Sequence, residues 1–155
     1  MNTRWFRRSS EDDGAVLVEF ALVAGLFFML VFGMVDYGLA INTKTQLTNA
    51  GREGARLGTV TLDAAAVEAR VREAGSGLDQ TILGVTVKCE EADDSPCMSI
   101  SAGPDPVGSL SHAEVGDSIV VILDYTYNLI TPLPNFVAEG NSVSLQSVTE
   151  MRVEK

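Results

Sequence analysis

The sequence predicts an α+β fold in which a long N-terminal transmembrane helix continues as an amphipathic stalk, followed by a short helix and a small antiparallel sheet. Three observations predict it. An apolar run fills residues 15–35, and no proline interrupts the chain before residue 96. Apolar residues recur with helical spacing over 64–74. Three later segments alternate apolar and polar residues, as strands with one buried face do.

The first element is the apolar run, whose 21 residues span about 31 Å as a helix, close to the thickness of a bilayer core. The run is too long for a cleaved signal peptide and lacks a convincing small-x-small site after it. Arg4, Arg7 and Arg8 precede it. Because short Arg-rich flanks stay in the cytoplasm, the C-terminal part is expected outside the cytoplasmic membrane.

A single carboxylate, Glu19, lies inside this run, five residues after Gly14. The spacing is similar to that of prepilin-like proteins, which are cut after the glycine that precedes the apolar helix. Such a cut would leave an ammonium on Ala15, and the carboxylate of one subunit could pair with the ammonium of the next and set their register. The alternative is that Glu19, only about 6 Å along the helix, simply reaches the lipid headgroups.

The helix is expected to continue past the membrane, to about residue 57. Its outer half carries a stripe of low bulk, onto which a sheet or another helix could pack closely. The glycines of this stripe cost about 1 kcal/mol each in helix propensity, so the outer half needs packing partners. The stripe comprises Ala40, Lys44, Leu47, Gly51, Gly54 and Gly58.

Arg52, Glu53 and Arg56 have helical spacing in the same region. Glu53 and Arg56 could form an ion pair three residues apart. Two interpretations stay open for this group: a solvated helix face, or a contact site for another subunit.

Four stretches of this region carry a recognisable pattern: "GAVLVEF", "DYG", "QLTNA" and "REGAR". Together they resemble the N-terminal signature of the TadE-like family of Flp/Tad pilus-assembly proteins. The resemblance covers about a third of the chain. "TPL" at 131–133 and "SVTEMRVE" near the end are similar to the family more loosely. Gly51 departs from the pattern, in which a second alanine is more usual.

The resemblance implies a non-enzymatic minor pilin or pseudopilin that a prepilin peptidase cuts between Gly14 and Ala15. Glu19, followed by Phe20, would be the register and assembly residues. The implied partners are other minor pilins, the peptidase and the inner-membrane assembly machinery, with the pilus or cell surface as a final location. The competing hypothesis is an unprocessed membrane-anchored binding or adhesion domain.

The second helix is expected over 64–74, capped by Thr61 or Asp63 and ended by Gly75 and Gly77. The strands are expected in "TILGVTVKCE", "SIVVILDYTYN" and "NSVSLQSVTEMRVE", with a short strand in "CMSIS" and a loop over 101–118. The domains are therefore placed at 1–14 (cytoplasmic leader), 15–35 (transmembrane helix), 36–58 (helical stalk) and 59–155 (extracytoplasmic α+β domain).

The two cysteines, Cys89 and Cys97, are separated by the turn-prone "DDSP". In an exported domain they predict a disulfide that contributes about 2–3 kcal/mol. In the cytosol they would be free thiols.

Other chemistry is disfavoured by composition and spacing. The net charge of −10 argues against nucleic-acid binding, which needs clustered cations. His112 is the only histidine, and with two cysteines it does not complete a zinc site. We expect no cofactor, no metal and no small-molecule substrate.

Overall fold

The computed structural model describes residues 10–93, 95–99, 103–104, 110–131 and 141–154. The arginines of the leader and "PL" at 132–133 lie outside these ranges. Two helices and five strands make up the described chain, and they confirm the predicted α+β class. They are α1 (Ser10–Thr61), α2 (Ala64–Ala74), β1 (Leu83–Glu90), β2 (Met98–Ser99), β3 (Gly103–Pro104), β4 (Ser118–Asn128) and β5 (Ser142–Arg152).

Helix α1 is one continuous helix of 52 residues, so it extends beyond the predicted 15–57 at both ends. It ends where the backbone turns: the Leu62 N–H donates to the Gly58 carbonyl at 3.0 Å, and Leu62 has a φ of 49°. Asp63 then caps α2, its Oδ1 accepting hydrogen bonds from the Ala65 and Ala66 N–H groups. Of the two predicted caps, Asp63 is therefore the one used.

The main sheet is antiparallel with the order β1-β4-β5. β4 is central, pairing Val121 with Val87 of β1 and Ile122 with Val148 of β5. β2 and β3 form a separate two-stranded ladder, and β3 falls inside the segment that we expected to be loop.

The core lies where the outer half of α1 and one face of α2 pack on the main sheet. Fully buried side chains from all three layers meet there, including Leu47 of α1, Val67 and Val71 of α2, and Ile119 and Leu123 of β4.

The packing is close because α1 presents glycines. A Cβ on Gly54 would lie 2.3 Å from Val71 Cγ2, and one on Gly58 would lie 2.9 Å from Ile119 Cγ2. The predicted stripe of low bulk is confirmed at these positions, since only glycine lets the neighbouring side chains approach the helix backbone so closely.

Candidate assembly surface on helix α1

The first half of α1 projects from the domain with its apolar side chains uncovered. Phe20 is 69% exposed, Leu22 72% and Met34 76%. The helix is long and apolar enough to cross a membrane, judged by length and composition. An apolar surface of this length must be covered by lipid or by other apolar helices.

The residues expected to direct processing and register lie on the first turns of this exposed half. Gly14, Ala15, Glu19 and Phe20 are all helical and all exposed. Glu19 lies one turn beyond Ala15, about 6 Å along the axis. Within the described ranges no group donates a hydrogen bond to Glu19. The pairing of Glu19 with a neighbouring N-terminus therefore stays a prediction.

Asp36 marks the point where the apolar run ends, and it is buried. Its Oδ1 accepts a hydrogen bond of 3.0 Å from the Ile130 N–H, and its Oδ2 accepts one from the Thr131 hydroxyl. The Thr131 hydroxyl, together with the Ile130 amide, holds the pKa of Asp36 below its usual range despite the burial. Asp36 thus joins the middle of α1 to the segment that follows β4.

The match of this segment to known proteins is specific. Residues 14–56 match the TadE-like protein family. The matched segment begins at Gly14 and contains Glu19 and Asp36, so the resemblance predicted from the sequence is confirmed there. No curated protein and no solved structure matches the chain.

Over residues 14–56 the chain is similar to TadE-like proteins, and its N-terminal apolar helix fits a membrane anchor. The match covers most of α1 and leaves the sheet outside it.

The last part of the TadE-like segment contains the charged group formed by Arg52, Glu53 and Arg56. Glu53 pairs with Arg70 of α2 at 3.0 Å rather than with Arg56, because α2 packs against this face of α1. Arg70 also pairs with Glu73 at 2.9 Å, and the carboxylates of Glu73 and Glu53 raise the pKa of its guanidinium. Arg52 and Arg56 are exposed, and their role in subunit contact stays a prediction.

A groove of about 680 Å³ separates the TadE-like segment from the start of β5, next to Asp36. Its walls are mostly apolar. The apolar lining comes from α1 (Met29, Gly33, Tyr37, Ala40 and Ile41), from β5 (Val143 and Leu145) and from Leu129 after β4. In the described part of the chain, the nearby Tyr127 hydroxyl is buried without a hydrogen-bond partner. Burial and the charge of Asp36 raise the pKa of Tyr127.

Cys89 and Cys97 are joined by a disulfide, with their Cα atoms 5.4 Å apart. Both are buried, and an isolated bridge between Glu90 and Pro96 lies beside them. Asp117 Oδ2 is 3.6 Å from Cys97 Sγ. These three residues do not form a thiolate metal site, because both sulfurs are used in the disulfide.

Sequence reasoning missed the role of Asp36. In the sequence the "DYG" motif is only a family mark, although an acid directly after a membrane-length run is itself a signal of a functional position. Its partners could not be found in the same way, because Thr131 lies 95 positions away along the chain.

Proposed function

We propose that the protein is a minor pilin or pseudopilin of a Tad-type pilus and acts in pilus assembly through packing of its N-terminal helix. The observation that supports this most directly is the uncovered apolar half of α1, within a TadE-like match that begins at Gly14. Residues 15–35 anchor the protein in the cytoplasmic membrane, and residues 59–155 form the extracytoplasmic domain. The role is structural, and its partners are other pilins, the prepilin peptidase and the assembly machinery.

Processing is the first step of this proposal. The peptidase cuts between Gly14 and Ala15, which removes residues 1–14 and creates an ammonium on Ala15. Gly14 has no neighbouring atom within 4 Å of where a Cβ would lie, so the domain does not obstruct access to this bond. Glycine also makes local opening of the helix easier.

Register is the second step. The Glu19 carboxylate of one subunit pairs with the Ala15 ammonium of the next at the same depth. Each charge alone is costly in apolar surroundings, and the pair offsets much of that cost. The exposure of Glu19 and of Phe20 beside it supports this step, since both face away from the protein's own domain.

Mass spectrometry of the protein made with an active or an inactive prepilin peptidase tests the processing step. We expect a mature chain beginning at Ala15 only with the active peptidase. Gly14→Val should block the cut, while Gly25→Val, a matched change inside the apolar run, should leave it intact. A wild-type chain that retains residues 1–14 beside an active peptidase would favour the unprocessed membrane-anchored domain instead.

Glu19→Ala tests the register step. Membrane insertion should be unchanged, because the apolar run remains. The amount recovered in sheared pili should fall at least about ten-fold, since a neighbour's ammonium is left without its partner. Glu150→Ala, which removes an exposed acid from β5, should have no effect on either quantity. Normal recovery of the Glu19→Ala protein in pili would contradict the pairing.

A further inference from the structure

Two motif residues to which the proposed function gives no role meet in the structure. Asp36 belongs to the "DYG" mark just past the apolar run, and Thr131 begins the "TPL" mark near the end of β4. Asp36 is only 6% exposed, and each of its carboxylate oxygens accepts a hydrogen bond from the 130–131 segment. We call this pair of hydrogen bonds the Asp36 link.

In the described residues, three polar connections join α1 to β5 or to the segment after β4, and the Asp36 link is the one nearest the N-terminus of α1. Above it, Lys44 Nζ donates to the Gln146 carbonyl, and the Thr48 and Ser147 hydroxyls share a hydrogen bond of 3.3 Å. Lys44 and Thr48 are four positions apart and lie on one side of the helix, while Asp36 lies about 80° from Lys44 around the axis.

From Met29 to Lys44, about 22 Å along the helix, the groove separates α1 from β5, and Asp36 and Thr131 line it within this stretch. The close packing at the glycines of α1 lies nearer the C-terminal end of the helix, at positions 51–58. The end of β4 and the start of β5 are therefore held near the helix by the Asp36 link rather than by continuous packing.

The chemistry of the link suits a positioning role. A carboxylate is costly to bury unless donors satisfy it, and hydrogen bonds to an ionised acceptor are among the stronger ones. Truncating Asp36 would leave the Ile130 N–H without this acceptor and would open the groove at this point.

The position of Asp36 relative to Glu19 gives the link a consequence for assembly. The two residues lie on one uninterrupted helix, about 25 Å apart along the axis and about 100° apart around it. A sheet held at Asp36 therefore has a fixed height and direction relative to the register acid.

We propose that Asp36, acting through Ile130 and Thr131, is the positioning residue that orients the sheet domain on α1 where the helix leaves the membrane, and so sets the domain's orientation in the assembled pilus. The contribution to assembly rests on the proposed function. The contribution to the helix–sheet junction does not.

Hydrogen exchange of the full-length protein in detergent micelles tests the junction. Asp36→Ala should speed exchange at Ile130 at least about ten-fold, while Val121, in the centre of the sheet, should exchange as in the wild type. Asp36→Asn keeps an acceptor for the Ile130 N–H and should restore most of the protection. Glu150→Ala should change nothing. Unchanged exchange at Ile130 in Asp36→Ala would overturn the proposal.

A second variant covers the case in which Asp36→Ala unfolds the sheet and Val121 also exchanges rapidly. Thr131→Val removes only the hydroxyl of the link and leaves the Ile130 hydrogen bond in place. We expect a smaller rise in exchange at 129–131. Wild-type exchange together with wild-type pilus incorporation in Thr131→Val would overturn the proposal in that case.

Pilus incorporation tests the contribution to assembly. Asp36→Ala should be cut and inserted normally but recovered in sheared pili at a several-fold lower level, with recovery restored in Asp36→Asn. Faster exchange with normal recovery would overturn the role in assembly. If the wild type itself is neither cut nor found in pili, the proposed function fails, while the exchange measurement still decides whether the Asp36 link holds the junction.

Discussion

At the scale of single residues, the glycines of α1 matter as much as its side chains. Gly54 and Gly58 let Val71 and Ile119 approach the helix backbone more closely than any side chain would allow. In isolation each glycine weakens the helix by about 1 kcal/mol. The close packing that it permits offsets this cost, so the same residues are poor helix formers and good contact positions.

Gly54→Ala should destabilise the domain. The new Cβ would lie 2.3 Å from Val71 Cγ2, and Val71 is fully buried and cannot move away freely. The resulting overpacking should lower the free energy of unfolding by about 1–2 kcal/mol net of the gain in helix propensity. Thermal unfolding followed by circular dichroism measures this.

Gly38→Ala is the matched control on the same helix, because no atom lies within 4 Å of the position that its Cβ would take. It should be neutral or stabilising by up to about 1 kcal/mol. Equal effects of the two substitutions would contradict the role assigned to close packing at Gly54.

The sequence predicted the stripe of small residues but not their neighbours. Helical spacing alone places Gly51, Gly54 and Gly58 near one side of α1. That Gly54 meets α2 while Gly58 also meets β4 depends on how the chain folds back. Likewise, Glu53 had a candidate partner within its own helix, and the packing of α2 supplied Arg70 instead.

At the scale of elements, α1 is a single helix in two environments. Its first half is apolar on all sides and exposed, while its second half is amphipathic and partly buried. No break in the helix separates the halves. The Asp36 link marks the boundary between them, where the segment after β4 makes hydrogen bonds to the helix.

The disulfide stabilises the end of β1. Cys89 is the penultimate residue of the strand, and its bond to Cys97 closes a loop with a sequence separation of 8. Between Glu90 and β4 the described chain makes an isolated bridge, a two-stranded ladder and a few local hydrogen bonds. The disulfide adds a covalent link to these hydrogen bonds.

Replacing both cysteines by alanine should lower the free energy of unfolding by about 2.5 kcal/mol, because the unfolded chain regains the entropy of an open loop. Chemical denaturation of the oxidised wild type and of the double variant measures the difference. Reducing the wild type should give a similar loss, since it removes the same bond. Equal stability of the oxidised and reduced proteins would contradict this account.

At the scale of the whole molecule, the chain divides into a domain with a core and a helix without one. The buried apolar residues of the described chain run from Leu47 to Val153. The large apolar residues of 16–35 are all exposed. The first part buries its apolar surface within the chain, while the second part exposes apolar surface of a kind that lipid or other apolar helices cover.

A fragment of residues 36–155 should therefore fold without detergent. It retains the core, the Asp36 link and the disulfide. It loses the exposed apolar half of α1, of which only Met29 and Gly33 line the groove beside the domain. We expect a monomer by size-exclusion chromatography and one cooperative thermal transition. The full-length chain in the same buffer should aggregate. An aggregated or unfolded fragment would show that the domain depends on the first half of α1.

The sequence by itself determined the elements of this protein and the nature of its N-terminal segment. Helices, strands and a membrane-length run follow from hydrophobic periodicity and length, which are local properties of the chain. The family signature is local as well, since it lies within residues 14–56.

Only the tertiary structure decided which distant residues meet. The order β1-β4-β5, the pairing of Glu53 with Arg70, and the contact of Asp36 with Thr131 each join residues far apart along the chain. Such contacts depend on which of many compatible packings buries the most apolar surface while satisfying the buried polar groups. No single segment carries that information.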